Sequence, residues 1–193
     1  MLRGFALPFE RFLAAGVTAV AAKAPFRHMT TPGGYSMSVA MTNCGAFGWV
    51  SEPTGYYYSP TDPETGAAWP VMPSAFAELA RGAAAALGFA DFTPDACLVN
   101  RYEPGSRLTL HQDKDERDLG QPIVSVSLGV PAVFLFGGLK RKDHPLRVPL
   151  EHGDVVVWGG PARLRYHGVA KLEESSHAFA GSTRINLTLR RAQ

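Results

Sequence analysis

Arg184-Ile185-Asn186-Leu187-Thr188-Leu189-Arg190 alternates polar and apolar side chains at every step. In a strand, successive side chains point to opposite faces, so Arg184, Asn186, Thr188 and Arg190 share one face. Directing two arginines into an apolar interior is costly unless acids meet them. A guanidinium grips carboxylate bidentately, which makes a dicarboxylate the natural ligand. The competing reading pairs these arginines with the protein's own carboxylates. Asn100 and Tyr102, again two apart in a strand-like run, add an amide and a hydroxyl on another strand.

Outward from this segment, strand signals recur about every ten residues. They cover residues 96–102, 107–113, 123–128, 132–136, 154–158 and 164–169, separated by turns such as Glu103-Pro104-Gly105-Ser106 and Gly159-Gly160-Pro161. Short, regularly spaced strands of this kind predict a sandwich or barrel. Residues 35–41 add one more strand, and residues 45–73 read as a turn-rich stretch holding Trp49, Tyr56, Tyr57, Tyr58 and Trp69. Helical periodicity is confined to two places. Residues 8–23 open on Pro8, and residues 74–87 run from Ser74 as N-cap to Gly88 at C′.

The chain has 193 residues, 46% of them hydrophobic and 19% charged, which is ordinary globular composition for one domain. Its 20 Gly and 15 Pro cut it into short pieces and disfavour a long-helix bundle. No apolar run approaches the roughly 18 residues of a membrane span, and the N-terminus lacks an export-signal pattern. Cys44 and Cys97 then read as free thiols in a cytoplasmic monomer. Residues 1–99 carry a balance of −2 and residues 100–193 one of +4. That basic half suits either a polyanion or a solvated face.

Among six histidines, two sit in His-x-Asp pairs. His111-Gln112-Asp113 lies in or at the end of a strand, where the imidazole and carboxylate converge on one face. His152-Gly153-Asp154 reads instead as a turn feeding a buried strand, with Asp154 capping backbone amides. His167, followed by a glycine that permits close approach, offers a third ligand. Two His and one carboxylate leave three positions of an octahedral ion open, which suits non-haem Fe(II). Zinc hydrolysis by the same three ligands stays open.

Several segments together resemble the AlkB family of Fe(II)/2-oxoglutarate dioxygenases. They include Asn100-Arg101-Tyr102, Leu110-His111-Gln112-Asp113-Lys114-Asp115-Glu116, Ser125-Val126-Ser127-Leu128-Gly129, Tyr166-His167-Gly168 and the Arg184–Arg190 segment. The likeness runs from about residue 25 to 191. It implies a mostly β fold with flanking helices, a double-stranded β-helix (jelly-roll) core and an N-terminal nucleotide-recognition lid. Residues 1–193 would then form one domain, with the lid and a supporting helix in about 25–91 and the catalytic core in about 92–191. It also implies that His111, Asp113 and His167 hold Fe(II), and that Asn100, Tyr102, Arg184, Asn186 and Arg190 bind 2-oxoglutarate, with O2 as the further co-substrate. A flipped base would lie between Trp49 and a ligand histidine, His111 being favoured. Met41, Tyr56, Tyr58, Asp115, Glu116 and Arg141 would complete its pocket. The family pattern carries a further segment ahead of Leu2-Arg3-Gly4-Phe5.

The activity so implied is oxidative demethylation of 1-methyladenine and 3-methylcytosine in DNA, preferably single-stranded, with RNA and duplex DNA as further substrates. Such bases are cationic and unpaired, hence cheaper to flip and well suited to stacking on aromatic faces. Arg107, Lys114, Lys140, Arg141 and Lys142 would hold phosphates around the mouth. Two other classes remain: a same-fold dioxygenase acting on a small molecule or peptide, and a non-catalytic binding module.

Overall fold

The computed structural model describes residues 1–193. In chain order it comprises α1 (Glu10–Lys23), β1 (Arg27–Thr30), β2 (Ser36–Gly45), β3 (Gly48–Glu52), β4 (Gly55–Ser59), α2 (Ser74–Ala86), β5 (Ala96–Tyr102) and β6 (Leu108–His111). There follow β7 (Ile123–Gly129), β8 (Ala132–Phe136), β9 (Leu146–Leu150), β10 (Val155–Trp158), β11 (His167–Val169) and β12 (Arg184–Arg190). A six-stranded sheet runs β1-β2-β5-β12-β7-β10, a four-stranded sheet runs β6-β11-β8-β9, and β3 and β4 form a separate hairpin. All pairings among these strands are antiparallel. This is the jelly-roll layout, with two helices against the larger sheet.

Alternation along the three central strands decides which face does what. On β12, Ile185, Leu187 and Leu189 enter the main core with Cys97 and Val99 of β5 and Val124, Val126 and Leu128 of β7. Leu13 and Val20 of α1 and Phe76, Leu79 and Ala83 of α2 close that core from the helix side. The opposite face of the same strands carries Asn100, Tyr102, Ser125, Arg184, Asn186, Thr188 and Arg190, all of which line a cavity between the sheets. The helices thus bury the apolar half of each strand and leave the polar half for chemistry. No helix is long and apolar enough to cross a membrane.

Several boundaries differ from the sequence expectation, each for a local reason. Ser74 is the first helical residue of α2, and Pro73 is the N-cap, without a side-chain cap bond. The Pro73 carbonyl instead accepts the amide of Phe76 at 2.9 Å. At the other end Gly88 adopts φ +90°. Its N–H reaches the Ala85 carbonyl, and that of Phe89 reaches Ala84, as a Schellman ending requires. The stretch 45–73, expected as turns, contains the β3–β4 hairpin. β9 was hidden by Pro149, which is tolerated because β9 is an edge strand. The strands expected at 107–113 and 164–169 are shorter. β6 ends at His111 and β11 begins at His167.

Candidate metal and co-substrate site

His111 and His167 are direct partners in the β6–β11 register. Their rings lie 4.4 Å apart, tilted by 55°. That closeness depends on Gly168, where a Cβ would stand 2.5 Å from the Leu108 carbonyl and force β11 off β6. Asp113 lies two residues beyond the end of β6 and is 8% exposed. His111 Nε2 is 3.6 Å from Asp113 Oδ1, and His167 Nε2 is 3.7 Å from Asp113 Oδ2. All three ligand atoms fall within 4.8 Å of one another.

Hydrogen bonding fixes how the rings face. His111 Nδ1 contacts the Thr109 carbonyl at 2.8 Å and His167 Nδ1 the Arg165 carbonyl at 3.1 Å. A carbonyl only accepts, so each Nδ1 donates, which turns each Nε2 toward Asp113 and leaves it as the nitrogen available to a metal. Burial, then the neighbouring His167, push the His111 pKa down to about 4 against the pull of Asp113. Burial alone would raise Asp113, but Arg190 and the two histidines hold it well below the usual carboxylate range. Two imidazoles and one carboxylate, with their ligand atoms turned toward one point, fit a divalent cation of the Fe(II) type.

The two arginines of β12 divide the competing readings between them. Arg190 donates from Nε to Asp113 Oδ2 at 2.8 Å and its Nη2 lies 2.7 Å from the same oxygen. Its Nε is also 3.4 Å from Glu116 Oε1. Arg190 therefore has the protein's own acids as partners. Arg184 has none. It is 1% exposed, lies over the Tyr102 ring at 4.9 Å and donates from Nη2 to Ser127 Oγ at 3.0 Å. Its Nε and Nη1 have no partner, nor has Asn100 Oδ1. Burial draws the Arg184 pKa below its ordinary value. A buried cation with two idle N–H groups facing a cavity fits a ligand carboxylate, as 2-oxoglutarate would supply. Asn186 is tied to Ser125, Val126 and Thr188 and packs this wall.

The cavity is about 340 Å³. It is lined by the three candidate ligands, by Asn100, Tyr102, Arg184, Asn186 and Arg190, and by Met41, Trp49, Tyr56, Asp115 and Arg141. Trp49 stacks on Tyr56 at 5.4 Å and 14°. Asn43, wholly buried on β2, clamps the Trp49 backbone, accepting its N–H at 3.0 Å and donating to its carbonyl at 2.9 Å. The Trp49 indole donates to Asp115 Oδ2 at 3.0 Å. Burial, with Glu116 and Asp113 nearby, raises the Asp115 pKa despite that bond.

Tyr58 and Glu116, expected in the base pocket, lie behind it rather than on its wall. Glu116 is 6% exposed and is held by the Tyr58 hydroxyl at 2.7 Å and by Arg163 Nη2 at 2.9 Å. Buried between two arginines, its carboxylate is already neutralised. Sequence reasoning missed Arg163, Asn43 and Trp158, whose ring meets His167 edge-on at 4.9 Å. The apolar run before Trp158 signalled only burial, and a lone Asn or Arg carries no periodic signal. The other His-x-Asp pair is structural. Asp154 accepts from the amides of Gly4 and Glu151, and His152 Nδ1 accepts from that of Gly129.

The 2OG-Fe(II) oxygenase superfamily model matches residues 6–190. The chain is 57% identical over its full length to "Alpha-ketoglutarate-dependent dioxygenase AlkB" of Escherichia coli (strain K12), covering 89% of that protein. It is 48% identical, over 95% of its length, to "Alpha-ketoglutarate-dependent dioxygenase AlkB homolog" of Caulobacter vibrioides (strain NA1000 / CB15N), covering 82% of it. The solved structure of OsALKBH1 superposes with a TM-score of 0.77 at 30% identity, over 94% of this chain and 91% of that one. By sequence, fold and the chemistry of its cavity, this chain belongs to the 2OG-Fe(II) oxygenase superfamily and is a dioxygenase dependent on Fe(II), 2-oxoglutarate and O2.

Proposed function

We propose that this protein oxidatively demethylates N-alkylated bases, 1-methyladenine and 3-methylcytosine, in DNA, with single strands preferred and RNA a further substrate. The observation that carries the reading is the joint wall of one cavity. Inward-facing His111, Asp113 and His167 share it with Arg184, whose Nε and Nη1 lack partners, and with the Trp49–Tyr56 stack. The 57% identity to an AlkB dioxygenase gives the reading its reaction class.

In this reading His111, Asp113 and His167 hold Fe(II). Arg184, helped by Asn100 and Tyr102, grips one carboxylate end of 2-oxoglutarate, and Arg190 steadies Asp113 while facing the other end. When bound, these groups supply oxidation of the N-methyl carbon to a hydroxymethyl that leaves as formaldehyde, with 2-oxoglutarate converted to succinate and CO2. The chain's own share is positioning. Trp49 and His111 present flat faces to a planar cation, Asp115 offsets its charge and accepts from an exocyclic amine, and Met41 and Tyr56 exclude water. Arg141 and Lys114, at the rim, suit the phosphates of a flexible single strand. Residues 1–193 act as one domain and as a cytoplasmic monomer, with residues 25–91 carrying the lid and residues 92–191 the core.

The test is an oligonucleotide bearing one 1-methyladenine, incubated aerobically with Fe(II) and 2-oxoglutarate. The expected result is restored adenine with one formaldehyde and one succinate per lesion. Succinate formed at the same rate with and without the oligonucleotide, and no repair, would overturn the reading in favour of another substrate.

A further inference from the structure

Arg163 takes no place on the cavity wall, yet it reaches the metal-ligand loop at three points. Its Nη1 donates to the Asp113 carbonyl at 2.6 Å, its Nη2 to Glu116 Oε2 at 2.9 Å and its Nε to the Gln121 carbonyl at 2.9 Å. These contacts span the irregular segment from Asp113 to Gln121, whose cavity side is held by Arg190, Trp49 and Tyr58. Arg117 bonds to Ala192, and Gly120 and Gln121 bond to Asp118. Arg163 is 3% exposed and stands four residues ahead of His167. Beside it the Gln112 side chain donates to the Leu164 carbonyl. The segment bearing Asp113 and the segment bearing His167 are therefore laced together behind the cavity.

Charge gives the lacing a second consequence. Asp113, Glu116, Arg163 and Arg190 form a buried group of two anions and two cations. Arg190 lies between the two carboxylates, nearer Asp113 than Glu116. With Arg163 neutralising Glu116, Arg190 is free to settle on Asp113. Without Arg163, buried Glu116 would keep only Tyr58 and Arg190 as partners and draw Arg190 away from Asp113, while the Asp113 and Gln121 carbonyls lose their donor.

We infer that Arg163 is a positioning residue of the metal centre, fixing Asp113 relative to His167 through its three bonds and through Glu116. The inference rests on the assignment of Asp113 and His167 as metal ligands. It goes beyond that assignment by naming a residue that touches neither metal nor substrate.

The experiment titrates Mn(II), a redox-inert stand-in, into the apoprotein and reads its dissociation constant by electron paramagnetic resonance, with no nucleic acid present. Melting temperatures are recorded in parallel. Arg163→Met is expected to weaken Mn(II) binding by roughly tenfold or more, the usual range for losing a partner behind a metal ligand. Arg163→Lys, which keeps charge but not the planar fork, should fall between. Adding Glu116→Gln to Arg163→Met should recover part of the affinity by removing the stranded charge. Asp154→Ala serves as a control that destabilises the fold away from the site. Unchanged Mn(II) affinity in folded Arg163→Met, with only a lower melting temperature, overturns the inference. Should that variant not fold, unchanged affinity in Arg163→Lys overturns it equally. Failure of the wild-type protein to bind Mn(II) would strike the assignment of Asp113 and His167 as metal ligands, whereas tight wild-type binding without repair would strike only the substrate.

Discussion

Trp49 and Tyr58 face each other across the β3–β4 hairpin, and each donates to one of two consecutive carboxylates, Trp49 to Asp115 at 3.0 Å and Tyr58 to Glu116 at 2.7 Å. The hairpin is thereby fastened to the loop that begins at Asp113. One carboxylate faces the cavity and the other faces the protein, so the pair divides recognition from support.

Trp49→Ala should cost ~1–3 kcal/mol of binding to damaged single strands, as loss of a base-stacking ring does. Trp49→Phe keeps a ring and forfeits only the bond to Asp115, so its loss should be smaller. Binding measured by fluorescence anisotropy with a 1-methyladenine oligonucleotide checks both. Equal, wild-type binding in both folded variants would remove Trp49 from recognition.

Arg184→Met should lower 2-oxoglutarate affinity tenfold or more, since removing one member of a buried charged pair costs ~2–5 kcal/mol. Free of co-substrate, the same variant should melt no lower than wild type, because it removes a buried cation that lacks an acid partner. Arg190→Met should do the opposite to stability, stranding Asp113, whereas Glu116 keeps Arg163. Calorimetric titration and thermal melts separate the two arginines. A lower melting point for Arg184→Met would show that its contacts with Ser127 and Tyr102 already outweigh the cost of burying the charge.

Asp113→Ala should abolish turnover and divalent-metal binding with the fold retained. Asp154→Ala should leave metal binding intact and cost ~1–3 kcal/mol of stability, because the part-buried amide bonds of Gly4 and Glu151 lose their buried acceptor. Metal titration of both variants is decisive, and the reverse pattern would exchange the roles of the two His-x-Asp pairs.

Asp62, in the segment after β4, receives a two-pronged hydrogen bond from Arg27 of β1, at 2.6 and 2.7 Å. Burial alone would raise its pKa, but Arg27 and the Glu64 amide bring it below the ordinary value. A depressed folded-state carboxyl pKa contributes stability that is present above the unfolded value and lost as pH falls through the folded one. Asp62→Asn should therefore melt below wild type at pH 7, with the gap narrowing as the pH falls below about 4. A gap independent of pH would mean the ion pair adds nothing beyond packing.

The sequence carried the core strands because their period-two alternation is strict. On β12 every polar residue faces the cavity and every aliphatic one the helices. β3, β4 and β9 were illegible for physical reasons. Aromatic residues on both faces of the hairpin mask its alternation, and Pro149 argues against a strand unless the edge is known. The split between Arg184 and Arg190 could not be read either. Their equivalence on one face is local, whereas their partners come from β7 and from the loop after β6. The same holds for Glu116, whose place beside Asp115 in sequence says nothing of which way each carboxylate turns. Arg163 is a lone side chain whose role exists only across a contact between two distant loops.

β6 is an edge strand, joined to β11 by two matched pairs with an irregularity between them. So short a ladder frays readily by itself. An ion shared by His111 on one strand and His167 on the other would rivet that edge, bridging positions 56 residues apart in the chain. Metal release and the peeling of β6 would then be a single event. Amide hydrogen exchange along Leu108–His111 should keep time with metal dissociation.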